Sequence, residues 1–470
     1  MNLKDFQKVH KIIHEAIRGT NFEKSTFYCG GCVRDLYMGR APKSIEITVG
    51  MYGGGPALAE YLTRRLKVNK VGINPLISTK QSYAQFTLGE KGSGIENVLI
   101  EAKSACKNSY ADENGIRPLN LLGSLIEDAH SRDFTMNSLQ VNVFDCKYYL
   151  DRTGMGFDDV KNKLIRTVVD PDIVFKDDPQ RMLRAIRFAS ELDFNIEMQT
   201  WLGICKNAHL IDKLPPDRIR EELNKILISK KADEAIRRMH HCGVLEHILP
   251  EVSHLKNIKQ GKEHYEDAFE HSLTVMMKMK PTIAYRLSGL LHDIGKFVTH
   301  HVDFYGRPTF KKHEIIGGEL ANVAILYLGY PTVIADSIEK VINLHMRFKQ
   351  VSVPSKHAIR SFIKDINEND LELALSLIDA DNNSHVEKYC KPTQIAKVRD
   401  MIEKIRDKDT KEQIKLPVTG KDIMKQFTML KGPRLGRAIS LLKEFALISP
   451  MMTKDEAYSI LHDAIKNEQI

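Results

Sequence analysis

Apolar residues recur at helical spacing over residues 1–20, where Phe6, Val9, Ile12, Ile13, Ala16 and Ile17 share one face. This pattern predicts an amphipathic helix. The period then shortens. Phe27-Tyr28, Ile45–Thr48, Tyr83–Phe86, Val98–Ile100 and Leu139–Val143 read as strands, with Gly- and Pro-containing turns between them and a helix over Ala57–Leu66. From about 155 to 250 the helical period takes over, through Met182–Leu192, Ile219–Ile228 and Ala232–Val244. A polar stretch over 251–265 marks a boundary. Residues 266–390 are again helical and rich in histidine. A Lys/Asp/Glu-dense stretch, 399–414, precedes a few tail helices that begin after Pro417 and Gly420. The expected fold class is α+β: an α/β head with a mixed sheet over 1–150, a helical neck over 151–255, a second helical domain over 256–390 and a helical tail over 391–470.

At 470 residues the chain exceeds what one core usually serves, which agrees with several domains. Apolar content of 42% and charged content of 28% are ordinary for a globular protein. No run approaches the ~20 apolar residues that span a bilayer, and no signal-peptide pattern opens the chain, so a cytoplasmic location without a membrane partner is expected. The seven cysteines are scattered, as for reduced thiols. Cys29-x-x-Cys32 lacks both a thioredoxin-like context and a second ligand pair for zinc, and reads as two small residues around a glycine turn. The net charge of +8 permits a nucleic-acid partner, although a solvated basic surface explains it equally well.

The chemistry begins at Cys29-Gly30-Gly31-Cys32-Val33-Arg34-Asp35. Gly30-Gly31 supply a turn where backbone amides can approach a phosphate, with Arg34 as a nearby cationic donor. About ten residues on comes Ser44-Ile45-Glu46 in a strand, where alternate side chains share a face. Acids at such spacing, completed by a carboxylate from a neighbouring strand, can clamp two divalent ions ~3.5–4 Å apart on attacking and leaving oxygens. Arg132-Asp133-Phe134-Thr135-Met136-Asn137 and Asp177-Asp178-Pro179-Gln180-Arg181-Met182-Leu183-Arg184-Ala185-Ile186-Arg187-Phe188 follow.

In this order and spacing these segments resemble the head and neck of the class II tRNA nucleotidyltransferases, the CCA-adding enzymes and their poly(A) polymerase relatives. The resemblance implies transfer of CMP and AMP from CTP and ATP to the 3′ end of tRNA, with Mg²⁺ at the head and the tRNA acceptor arm as partner. It implies metal binding by Glu46 and Glu101, catalytic roles for Glu46, Glu101 and Arg132, and ribose and triphosphate contacts from Arg132, Asp133 and Asn137. Gly30, Gly31 and Arg34 fall at the phosphates. Asp178 and Arg181 match the family's base-reading motif, and i, i+3 spacing on a helix would put both on one face. Arg184 and Arg187 continue the basic side. Asp217–Leu223 resembles the last neck motif. The chain also departs from the pattern. The family's Asp-x-Asp reads Ser44-x-Glu46 here, Ser131 replaces a frequent Arg, and Cys106 stands where a basic residue is common. A neutral hydroxyl is a poor Mg²⁺ ligand, so transfer is expected to be weakened.

In the C-terminal half, His271, His292-Asp293, His313, His345 and Asp381 follow the order of the HD-domain metal phosphohydrolases. That resemblance implies a site for Mn, Ni, Fe, Co or Zn, whose bound water would ionise near neutral pH. Lys296 reads either as a phosphate contact or as a solvated helix end. Together the segments match the long bacterial type of the family, with an attached HD domain over 256–390. Two other readings compete: an HD phosphohydrolase, acting as phosphatase or cyclic phosphodiesterase, whose inactive head only binds RNA, and a non-catalytic RNA-binding paralogue.

Overall fold

The computed structural model describes residues 1–68, 73–80, 83–89, 98–107, 121–261, 264, 266–349, 351, 353–413, 416–428, 432–448 and 452–466. The chain divides into two compact units, Met1–Asn343 and Leu344–Ile470.

The first unit opens with the helix Leu3–Ile17, capped by Asn2 and Asp5 in a reciprocal capping box, with Phe6, Val9, Ile13, Ala16 and Ile17 buried. A seven-stranded mixed sheet follows. Its order is Ile73–Lys80, Tyr83–Leu88, Val98–Ser104, Ile45–Val49, Thr26–Cys29, Gln140–Asn142, Tyr149–Leu150. Ile45–Val49 and Val98–Ser104 run parallel; the other neighbours are antiparallel. Four of the five runs expected from alternation fall within strands of this sheet, and the fifth, Leu139–Val143, holds the shorter strand Gln140–Asn142. Ile73–Lys80 was not expected. It contains Pro75 and lies at the sheet edge, where a proline removes no ladder bond from the interior, and its register shifts between Asn74 and Ser78.

One register carries the site. Glu46 lies opposite Glu101 in the parallel pair. Their neighbours Ile45, Ile47, Ile100 and Ala102 are fully buried, so alternation turns both carboxylates to the other face of the sheet.

Helices then dominate the first unit, including Pro171–Asp177, Gln180–Leu192, Met198–Asn207, Pro216–Leu227 and Ala232–His241. Their buried residues continue the core of the sheet domain, through Phe175, Met182, Ile186, Leu223 and Ile236. The second unit is helical, with Lys356–Asp365, Glu368–Asn382 and Gln394–Gln413 before the tail helices Gly420–Gln426, Pro433–Ile448 and Lys454–Lys466. The tail has its own core, in which Ile423, Ala438, Leu442, Ala457 and Leu461 are buried. Among the described residues, no helix is long and apolar enough to cross a membrane.

Candidate functional site

A cavity of about 910 Å³ opens on the sheet face that carries Glu46. Its walls include Gly30, Gly31, Arg34, Ser44, Glu46, Arg132, Asp133 and Asn137 from the head, and Asp178, Arg181, Arg184 and Arg187 from the segment that follows. Residues far apart in sequence therefore converge on one space. Glu101 reaches Glu46 through the strand register rather than through the cavity wall.

Gly30 holds φ at 69°, a region that penalises any side chain with a Cβ. A Cβ there would also collide with the Glu46 carboxylate, which lies over the glycine. Burial and then the Glu46 charge push the Glu101 carboxyl upward. Two carboxylates held against their own repulsion are a fitting donor pair for a divalent cation, and hard oxygen ligands suit Mg²⁺. The Ser44 hydroxyl adds no charge to this set.

Cations crowd the same wall. Arg132 is buried, donates through Nη2 to Asp128 Oδ2 at 3.0 Å and Thr48 Oγ1 at 3.1 Å, and lies 3.8 Å from Glu46 Oε2. Lys103, two residues beyond Glu101, is 3.6 Å from the other oxygen of Asp128. Asp128 thus holds two cationic groups at the cavity. A relay of polar groups runs deeper: Arg34 Nη1 donates to Asn137 Oδ1 at 2.8 Å, Asn137 Nδ2 to Asp133 Oδ1 at 3.0 Å, and Arg184 donates twice to Asp133 Oδ2, at 2.8 and 2.6 Å. Burial alone would raise the Asp133 carboxyl. The Arg184 charge and the bonds from Asn137 and Arg184 outweigh it and hold that carboxyl far below its usual range.

Asp133→Asn is expected to lower stability by about 2 kcal/mol, because Arg184 would lose its buried counter-charge. A depressed folded pKa stabilises above the unfolded value of about 3.9 and loses that stabilisation as pH falls toward the folded one. Urea unfolding of the two proteins should therefore differ at pH 7 and converge as the pH drops below about 4. An equal gap at all pH values would contradict the assignment.

Asp178 differs from the helical placement that the i, i+3 spacing predicts. It is extended, at φ −146° and ψ 99°, just outside the helix Pro171–Asp177, because Pro179 disfavours the α region at the residue before it. Its Oδ1 accepts from the Gln180 backbone at 3.1 Å and its Oδ2 from Arg218 Nη2 at 2.9 Å. Arg181 pairs instead with Asp177 at 2.9 Å and donates to the Ser131 carbonyl at 3.2 Å. Arg187 is not free to meet a phosphate in this state: its Nε donates to Glu222 at 2.6 Å and its Nη1 to Glu191 at 3.0 Å.

Sequence reasoning did not single out Lys103, Gln180 or Phe188. Phe188 has the guanidinium groups of Arg34, Arg184 and Arg187 within 5.2, 5.5 and 4.2 Å of its ring centre, a cation–π cluster that only the fold assembles. Gln180 Oε1 accepts from Arg218 Nε at 2.9 Å and so fixes the arginine that holds Asp178. Cys29 and Cys32 are buried and form no disulfide, and burial pushes both thiols up, away from the reactive thiolate.

A second cluster lies elsewhere in the first unit. His271, on the helix Ala268–Lys278, has Nε2 at 3.8 Å from Asp293 Oδ2; His292 Nε2 is 3.1 Å from the same oxygen and His313 Nε2 3.4 Å from Oδ1. His292 and Asp293 stand at a junction, after Ile283–Leu291 and before Gly295–Thr299, rather than inside one helix. Gly295 allows the approach of the His313 helix; a Cβ there would collide with the His313 carbonyl. The Nδ1 atoms of His292 and His313 sit 2.9 and 2.8 Å from the carbonyls of Gly289 and Phe310. Such bonds fix the tautomer that turns Nε2 inward, the orientation that metal ligation needs. His271, His292 and Asp293 offer ligand atoms within 4.8 Å of one another, all buried. Lys296 is buried rather than a solvated helix end, and donates to Asp293 Oδ2 at 2.6 Å. His345 and Asp381 belong to the second unit, where both are buried and Asp381 accepts from Lys349 at 2.6 Å.

Three family models match in chain order: Poly A polymerase head domain over residues 26–166, Probable RNA and SrmB-binding site of polymerase A over 193–255, and HD domain over 268–404. The chain is 26% identical over 454 residues to the CC-adding tRNA nucleotidyltransferase of Thermus thermophilus, covering 93% of each protein. It is 28% identical over 356 residues to the A-adding tRNA nucleotidyltransferase of Deinococcus radiodurans, covering 71% of this chain and 78% of that one. The Thermotoga maritima CCA-adding enzyme, solved in complex with tRNA, shares the fold with a TM-score of 0.57 at 18% identity, over 98% of this chain and 96% of that one. Fold and site together define a nucleotidyltransferase head followed by a helical neck and an HD domain. The chain carries the poly(A) polymerase head, the RNA-binding segment and the HD domain in the order of the bacterial tRNA nucleotidyltransferases and poly(A) polymerases it resembles.

Proposed function

We propose that this chain transfers CMP or AMP from CTP or ATP to the 3′ end of a tRNA. The observation that carries this reading is the single cavity into which the glycine turn, Glu46 and Arg132 of the head open together with Asp178, Arg181 and Arg184. The relatives' CC-adding, A-adding and CCA-adding activities are members of the same reaction class.

In the reaction the terminal 3′ oxygen attacks the α-phosphorus. A new P–O bond forms, the bond from the α-phosphorus to the bridging oxygen breaks, the 3′ hydroxyl proton passes to solvent water and pyrophosphate leaves. Negative charge builds on the leaving oxygens, so fixed cations are the main requirement. Arg132, fixed by Asp128 and Thr48, and Lys103 supply charge at the head. Arg34 and Asn137 are pre-aligned by the Asp133 relay to meet triphosphate and ribose. Glu46 and Glu101 would hold Mg²⁺, which neutralises charge on the phosphates. Asp178 and Arg181 supply an acceptor and a forked donor that suit the edges of cytosine and adenine. Residues 1–150 serve as head, 151–255 as neck, 256–390 as HD domain and 391–470 as tail, in a cytoplasmic protein whose basic surfaces grip the acceptor arm through phosphates.

Ser44→Asp adds a third charged ligand beside Glu46 and Glu101. Its expected effect is at least a tenfold rise in nucleotide incorporation, with half-maximal rate at a lower Mg²⁺ concentration. A Mg²⁺ titration of both proteins on one tRNA checks this. Equal curves would remove Ser44 as the source of weakened transfer.

The cluster around Asp293 favours a second activity, hydrolysis of phosphate esters. His271, His292, His313 and Asp293 would bind a divalent transition metal. The neutral imidazoles suit Mn, Ni, Fe, Co or Zn.

A further inference from the structure

The strands His300–Val302 and Pro308–Phe310 form a hairpin between the helices Gly295–Thr299 and His313–Tyr327. Asp303 builds its tip, accepting through Oδ1 from the backbone of Tyr305 at 2.9 Å and Arg307 at 2.8 Å, while Gly306 turns the chain at φ 73°. The tip is thus internally braced, yet it carries Phe304 at 98% and Tyr305 at 74% exposure. Neither ring contributes to the core. The Arg307 guanidinium lies 5.1 Å from the Tyr305 ring centre, and Lys311 and Lys312 are exposed at the base. Asp303 is the one acid among residues 300–312, and its carboxylate is engaged by the tip's own amides.

We propose that this hairpin tip is an RNA contact in which Phe304 and Tyr305 stack on unpaired bases of the tRNA while Arg307, Lys311 and Lys312 meet its phosphates. The proposal rests on the tRNA reading above and adds a contact outside the cavity. Charge complementarity selects the occupant. An interface with a second copy would call for a broader apolar patch with a mixed rim, whereas two exposed rings flanked by cations, with the one acid engaged by the tip's own amides, match the way unpaired nucleotides are held. Aromatic faces tolerate any base, so this contact would add affinity without reading sequence.

The test uses the full chain and a fluorescently labelled tRNA transcript lacking its 3′ nucleotides, with a blunt RNA duplex of the acceptor stem as the probe without unpaired bases. The Phe304→Ala, Tyr305→Ala double variant is expected to bind the transcript at least tenfold more weakly and the duplex unchanged. Tyr305→Trp is expected to keep the affinity and to lose indole fluorescence on adding the transcript. Both side chains are exposed, so thermal unfolding should match the parent. Unchanged transcript affinity in the double variant, while the parent binds, overturns the proposal. So does a changed sedimentation coefficient of the RNA-free double variant with affinity intact, which would make a second copy the occupant. A parent that binds no tRNA would instead overturn the nucleotidyltransferase reading, and this one with it.

Discussion

Glu46→Gln is expected to reduce nucleotide incorporation by at least three orders of magnitude with little change in folding. Glu46 lies on the solvent face of its strand, about a third exposed, so the isosteric amide should be accommodated. Its charge cannot be replaced nearby. Ser44 is neutral, Glu101 sits on the neighbouring strand rather than in the cavity wall, and Asp35 is occupied by Arg34 at 2.7 Å. Removing Glu46 would leave Arg132 and Lys103 facing the triphosphate without an anionic metal ligand in the cavity wall. Arg132 would still bind phosphate, so nucleotide affinity should fall far less than kcat. Single-turnover rates beside equilibrium CTP binding separate the two. A variant that keeps more than a tenth of the parent's rate would exclude Glu46 as a metal ligand.

Asp293→Ala is expected to strip the HD cluster of metal. Three imidazoles face this carboxylate across 3.1–3.8 Å, and its two oxygens are shared among them. Neutral histidines alone would gather a divalent ion without the anion that balances its charge. Metal content after dialysis should drop from about one or more equivalents per chain to near zero, and phosphate-ester hydrolysis should fall with it by at least a hundredfold. Nucleotide incorporation should be unaffected, since none of these residues lines the head cavity. Hydrolysis that survives in the variant would assign that activity elsewhere. Burial would raise the Asp293 carboxyl, but the facing His292 imidazole and then the Lys296 ammonium outweigh it and hold that carboxyl well below its usual range.

Local spacing made much of this legible. The strand of Glu46 shows its alternation in five residues, and the glycine turn, the Arg-Asp-Phe segment and the ordered histidines each announce themselves within a short window. Pairings that depend on distant chain segments did not. Arg218 holds Asp178 from 40 residues away, and no periodicity connects them. Asp178 reads as helical only if Pro179 is ignored; the proline sets the backbone before it and thereby hands Arg181 to Asp177. Lys296 reads from the sequence as either a phosphate contact or a solvated helix end, whereas the close approach of two helices at Gly295 buries it beside Asp293. The edge strand Ile73–Lys80 hides behind Pro75. Asn108-Ser109-Tyr110, which continue the family-like segment begun at Ile100-Glu101, lie outside the described residues.

The most direct measurement is incorporation of labelled CMP and AMP by the native chain into three tRNA transcripts: one ending before the first C, one before the second and one before the final A. The account predicts product on at least one of them in Mg²⁺, slower than with Ser44→Asp, and the extended transcripts would show which nucleotides this chain adds. No incorporation on any transcript, by either the native chain or Ser44→Asp, in Mg²⁺ or Mn²⁺, would contradict it.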